Sequence, residues 1–200
     1  MAWALVQVTA PAEEPVSVPE AKLHLRVDGD QEDQWIASVI AVAREHAETM
    51  LGRSLVERTW RLSLDRFPPG RVIRLPRPPL QAVTSVTYTA PDGSQHVLDE
   101  ALYDVDTASE PGRIVLRPGA SWPETANKPG AVQIVYAAGY GAAANVPEAF
   151  KHAILLLVGH WYEHREQVVV GSNAATLPFA VEALLRPHRI FAFDPAGEAV

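Results

Sequence analysis

The stretch VPEAFKHAILLLVGHWYEHRE, residues 146–166, decides how this chain is read. Its apolar residues Phe150, Ala153, Ile154, Leu157, Val158 and Trp161 recur at helical spacing, with Pro147 in the first turn, where its missing amide costs nothing, and Asn145 placed to cap. Leu155 and Leu156 fall off that stripe, so the helix is apolar on more than one side. A helix of that kind is central to the fold or packs on a second subunit. Its last residues, His160-Trp161-Tyr162-Glu163-His164, spell H-x-x-E-H, the inverted zinc-protease pattern, in which two His one turn apart bind metal and a Glu manages the proton.

That pattern needs a third protein ligand and an open position for water. The acids after His164 are Glu166, Glu182, Asp194 and Glu198, and Glu182, on the last expected helix, is the one credible third ligand. The residues before the motif argue against a cleft, because AILLLVG reads as packed helix and brings no polar constellation to hold a peptide. The expectation is therefore no catalytic residue, no metal ligand and no cofactor. His160, Glu163, His164 and Arg165 instead form a polar helix end whose side chains pair or cap, against a neighbouring subunit.

Working outward, SVPEAKLHL places Ser17 and Glu20 at capping-box spacing and starts a short helix over 18–26. VDGD breaks it. Asp30 is the expected N-cap of a second helix over 31–51, with Trp35, Ile36, Val39, Ile40, Ala43, Ala47, Met50 and Leu51 on one face and Gly52 ending it. Between 54 and 140 the pattern changes to alternation, Pro and Gly. TWRLSLDRF sets Trp60, Leu62 and Leu64 on one face, Asp92-Gly93 makes a turn between two strand-like runs, and YDVD, RIVL and AVQIVYAAGYG add short strands. After VVVGSNAATLP comes a last helix, 179–186, stopped by Pro187, and RIFAFDPAGEAV trails beyond it. The expected fold is α+β: a helical bundle (helices near 18–26, 31–51, 147–166 and 179–186) with an inserted all-β part and an extended C-terminal arm. The corresponding division is 1–53 with 141–189, then 54–140, then 190–200.

Composition narrows the function classes. The 200 residues are 48% hydrophobic and 20% charged, ordinary for a globular protein, with no Cys for a disulfide, thiolate site or Cys nucleophile. The start has no cationic segment ahead of an apolar one, and the apolar run at 153–158 falls short of the ~20 residues that cross a bilayer, so no leader and no membrane segment are expected. The net charge of −7 is uneven: residues 1–52 carry nine acids and three bases, 53–90 two acids and seven bases. The basic set Arg53, Arg58, Arg61, Arg66, Arg71, Arg74 and Arg77, interleaved with Trp60 and Phe67, has the composition of a nucleic-acid surface. Outward Arg at alternating strand positions, or an interface with an acidic partner, is the stronger reading against so acidic a remainder. DGDQEDQ lacks the Gly and Glu of a calcium loop, AGYGAAAN lacks the Lys of a phosphate loop, and no G-x-S-x-G elbow occurs.

Five segments in order, EAKLHLRVDGDQED, RPPLQAVTSVTY, YDVDTASEPGRIVL, VPEAFKHAILLLVGHWYEHRE and LPFAVEALLRPHR, resemble the head-tail connector (adaptor) proteins of long-tailed phages and gene transfer agents. The resemblance runs from Val16 to Arg189. It implies a structural virion protein made in a host cytoplasm. Twelve copies would form a ring beneath the portal, between DNA-filled capsid and stopper or tail, with the genome passing through without sequence-specific binding. It implies no catalytic residue. In that setting Leu155, Leu156, His160, His164 and Arg165 are expected at a subunit boundary, and Phe191 and Phe193, with Arg189, as anchors of an arm on the portal. The alternatives are a zinc-dependent hydrolase using HWYEH and a tail-associated, ligand-binding β module within 54–140.

Overall fold

A computed structural model describes residues 2–165, 179–190 and 195. In chain order the elements are β1 (Trp3–Gln7), α1 (Val18–Leu25), α2 (Asp33–Leu51), β2 (Arg58–Leu64), β3 (Val72–Arg74), β4 (Leu80–Thr89), β5 (Gln95–Val97), β6 (Tyr103–Asp106), β7 (Arg113–Leu116), β8 (Val132–Ala138), α3 (Glu148–Glu163) and α4 (Phe179–Leu185). The fold is α+β, with four helices and two antiparallel sheets.

The capping box forms as its spacing predicts. Glu20 N–H donates to Ser17 Oγ at 3.3 Å, and Ser17 N–H donates to Glu20 Oε2 at 2.7 Å, so two amides at the start of α1 are satisfied locally. Gly52 ends α2 in the left-handed conformation, φ 70°. Two expected caps do not form. α2 starts at Asp33 with Glu32 as N-cap and no side-chain cap bond, while Asp30 contributes only its carbonyl, to Asp33 N–H. At α3 the N-cap is Pro147, and Asn145 belongs to a preceding 3-10 turn.

The alternation in β2 buries Trp60, Leu62 and Leu64 and leaves Arg61 in solvent. The larger sheet has the order β1-β2-β8-β4-β5 and the smaller β3-β7-β6. Their facing sides share a core containing Leu62, Leu64, Ile73, Ile114, Ile134 and Tyr136. The Tyr136 hydroxyl donates to Pro76 O at 2.9 Å, and burial pushes its pKa up. The Asp92-Gly93 turn joins β4 to β5, with Gly93 at φ 89°. β1 corrects the assignment of residues 3–7 to the helical part. It pairs antiparallel with β2, Trp3 opposite Leu64 through Gln7 opposite Trp60, and becomes an edge of the larger sheet.

A second core lies among the helices, with Ile36, Ile40, Phe150, Ile154, Leu157, Val181 and Leu185 buried together. The two cores meet where α2 leads into β2 and β8 leads toward α3. There Glu48 gathers three donors: Leu55 N–H at 2.8 Å, Arg44 at 3.0 Å and the Arg58 guanidinium, which lies closer still. Arg44 also reaches Glu14 at 2.7 Å. Among the described residues no helix is long and apolar enough to cross a membrane.

Candidate subunit and partner interface

The end of α3 is fastened to the start of α2. Glu32 accepts from Arg165 at 2.6 Å and from the Tyr162 hydroxyl in a close contact. The Arg165 guanidinium lies 4.2 Å from the centre of the Trp35 ring and 4.6 Å from that of Tyr162, and the two rings meet edge to face at 5.5 Å. The Tyr162 hydroxyl first, and Arg165 second, hold the Glu32 carboxyl below its usual range, while Glu32 raises the Tyr162 hydroxyl in return. At the next residue, Asp33 pairs with Lys22 at 2.6 Å. Glu32 and Asp33, the acids at the start of α2, are thus engaged by side chains from α1 and from the end of α3.

HWYEH follows from this arrangement. Trp161 packs edge to face on His46 of α2 at 5.9 Å. His164 ends the helix, its Nδ1 2.9 Å from His160 O, and the two imidazoles lie 4.8 Å apart. Glu163 points into solvent, and Glu182 is exposed on α4. Among the described residues no group of three His, Cys, Asp or Glu side chains comes together in a way that could hold a metal. Within the pentapeptide, Trp161 and Tyr162 hold the helix end to α2 by ring contacts and the Tyr162 hydroxyl, and Arg165 just beyond it adds the ion pair.

Leu155 and Leu156 are half-buried against the helical core. Leu155 borders a groove of about 310 Å³ between α1 and α3, with Val16, His24, His152 and Leu23, the last 82% exposed. His160 is half-buried, while His164 and Arg165 are exposed. Arg165, though exposed, is committed to Glu32 by an ion pair at 2.6 Å.

The Arg-rich segment divides. Arg53 and Arg58 are buried: Arg53 donates to His188 O at 2.8 Å and pairs with Glu110 at 2.6 Å. Arg77, at φ 63°, donates to Glu48 O at 3.0 Å and lies over the Trp60 ring. Arg61, Arg66, Arg71 and Arg74 remain exposed, as alternation suggests for Arg61. Sequence reasoning missed Glu14, Glu48 and Glu110, the carboxylates that receive the buried Arg. A buried glutamate on an amphipathic helix reads as part of its polar face until its partners are placed.

Arg189 is exposed at the C-terminal side of α4. Phe191 and Phe193 lie outside the described residues. On either side of them, Ile190 N–H donates to Leu51 O at 2.8 Å and Arg74 N–H donates to Pro195 O at 3.0 Å, with Pro195 buried.

The family described as "Head completion protein" matches residues 15–191. Among solved structures, a chain from "Neck of empty GTA particle computed with C6 symmetry" is similar at 26% identity and a TM-score of 0.77, covering 95% of this chain and 97% of that one. A chain from "Virion of native gene transfer agent (GTA) particle" is similar at 25% identity and 0.77, over 94% and 96%. A third, from "Neck of native GTA particle computed with C12 symmetry", gives 26% and 0.72, over 95% and 97%. No curated protein matches.

Proposed function

Because the chain belongs to the head completion protein family, we propose that it is a head-tail connector, a structural and non-enzymatic component of the virion neck that joins the DNA-filled capsid to the tail. The observation that carries this reading is the match over almost the full length of both chains to proteins of gene transfer agent necks. The C6 and C12 symmetries of those necks support a closed ring, in this reading of twelve copies. Above the ring the partner is the portal; below it, a stopper or tail-completion protein.

Residues 1–53 and 141–189, less the strand at 3–7, form the connector part in this proposal, 54–140 an inserted β part, and 190–200 the arm. The end of α3 borders the subunit boundary, with Leu155, Leu156, His160 and His164 toward it. Arg165 contributes by fixing the helix end on Glu32 and Trp35. A chain of net charge −7 around a DNA channel releases few counterions from the genome and so does not hold it.

Arg189, Phe191 and Phe193 are the proposed portal anchors. In a pull-down on immobilised portal rings, the full chain is retained and a chain ending at residue 189 is lost from the bound fraction by at least tenfold. Equal retention of both overturns the arm's role and leaves the neck assignment standing. Failure of the full chain to bind the portal removes the assignment itself.

A further inference from the structure

The outward face of the five-stranded sheet is solvent-exposed yet almost uncharged. In β1, β2, β8 and β4 the residues turned away from the core are set by the register that pairs Val6 with Arg61, Arg61 with Val135 and Val135 with Ser85. Val6 and Val8 are 44% and 50% exposed. Arg61 is the only ionised side chain at these register positions, and it makes no ion pair among the described residues. An antiparallel sheet with one face in water ordinarily carries polar and charged residues there. No described helix is laid across this face. Its edge adds to the anomaly: Val8 N–H donates to Thr59 O at 2.8 Å, so strand alternation turns the backbone groups of Leu5 and Gln7 outward. β1 (WALVQ) has no Lys, Pro or bulge to guard that edge.

A second exposed surface with almost no charge lies elsewhere on the same chain. On α2, Val42 is 55% exposed and shares a shallow depression of about 200 Å³ with Ser38, Val39 and Trp161. The exposed positions of α2 carry no charge from Gln34 to Val42. One turn beyond Val42 stands Glu45, whose side chain is 70% exposed and touches Arg44 only at 3.4 Å. Trp161 makes this surface continuous with the end of α3.

We propose that these two surfaces are the two sides of the contact between neighbouring copies: the outer sheet face of one chain receives α2 of the next, with Glu45 brought to Arg61. This inference rests on the ring reading above. A closed ring is heterologous, so each copy needs two different, mutually complementary patches. Here both patches are built of small and neutral side chains, Ala4, Val6, Ser63, Val135 and Ser85 on the sheet and Ala37, Ser38 and Val42 on the helix, and are uncharged apart from one acid on the helix and one base on the sheet. Helix on sheet is a standard layer packing, and it covers the unguarded valines.

The absence of Cys permits a direct test. Val42→Cys is combined with Val6→Cys in one chain and with Val135→Cys in a second, and assembled particles are treated with a short bis-maleimide. The expected result is a ladder of cross-linked multimers from at least one double variant, with single-Cys chains remaining monomeric on a denaturing gel. If both double variants enter particles in wild-type amount and stay monomeric, the paired faces are wrong while the ring stands. If the unsubstituted chain is absent from particle necks, the ring reading fails and takes this inference with it.

Discussion

Glu48→Ala lowers the unfolding free energy by about 3–5 kcal/mol, the cost of removing one partner from a buried charged cluster. At a few degrees per kcal/mol for a chain of this size, the melting temperature falls on the order of 10 °C. The Glu48 side chain is 7% exposed, and those of Arg44 and Arg58 are 6% and 2% exposed. Burial opposes the charge on both guanidiniums. At Arg44 the carboxylates of Glu14 and Glu48 more than offset it, and the pKa is held up. At Arg58 burial prevails despite Glu48, and the positive charge of Arg44 adds to it, so the pKa is lowered. Glu48 is the carboxylate that Arg58 contacts directly, with Glu14 acting only at a distance. Glu48→Gln keeps an acceptor for Leu55 N–H but loses most of the same stability, because the unpaired charge remains. Thermal unfolding of the two variants measures the effect, and a loss below 1 kcal/mol for Glu48→Ala contradicts the cluster as described.

Gly139→Ala has the second large effect, about 3 kcal/mol, at the crossing where β8 leaves the sheet. Gly139 has φ 134°, and a Cβ there would lie 2.6 Å from both Glu57 N and Val56 C. Neither backbone atom has room to retreat, since Glu57 N–H donates to Gly141 O at 2.9 Å and Tyr140 N–H donates to Leu55 O at 2.8 Å. Strain from the conformation and overpacking against backbone each contribute roughly 1–3 kcal/mol. Gly93→Ala separates the two. Gly93 has φ 89° and nothing within 4 Å of the built Cβ, so it bears the strain alone and loses about 1 kcal/mol. Equal losses from the two substitutions, read from denaturant midpoints, would show that the crossing is not tightly packed.

How much of this was legible in the sequence depended on how local each interaction is. The Ser17–Glu20 box spans four residues and the β2 alternation seven, and both formed as their spacing suggests. β1 was missed because Ala4 and Val6 are as apolar as Leu5, so the outward positions hide the period of two. Asp30 lost the capping role because Glu32 and Asp33 are drawn to Tyr162, Arg165 and Lys22, partners 130, 133 and 11 residues away. The zinc reading of HWYEH rested on five residues, whereas its place as a helix end depended on Trp35 and Glu32 being beneath it. Spacing alone carries no information about that.

The central claim is that copies of this chain form a ring that seats on the portal. Electron microscopy of the purified chain, alone and mixed with portal rings, tests it most directly. The account predicts a second ring stacked coaxially on the portal, with twelve-fold averages reproducing density the size of this chain in each sector. Portal rings left bare at saturating chain, with the protein persisting as free monomer in the background, would contradict it.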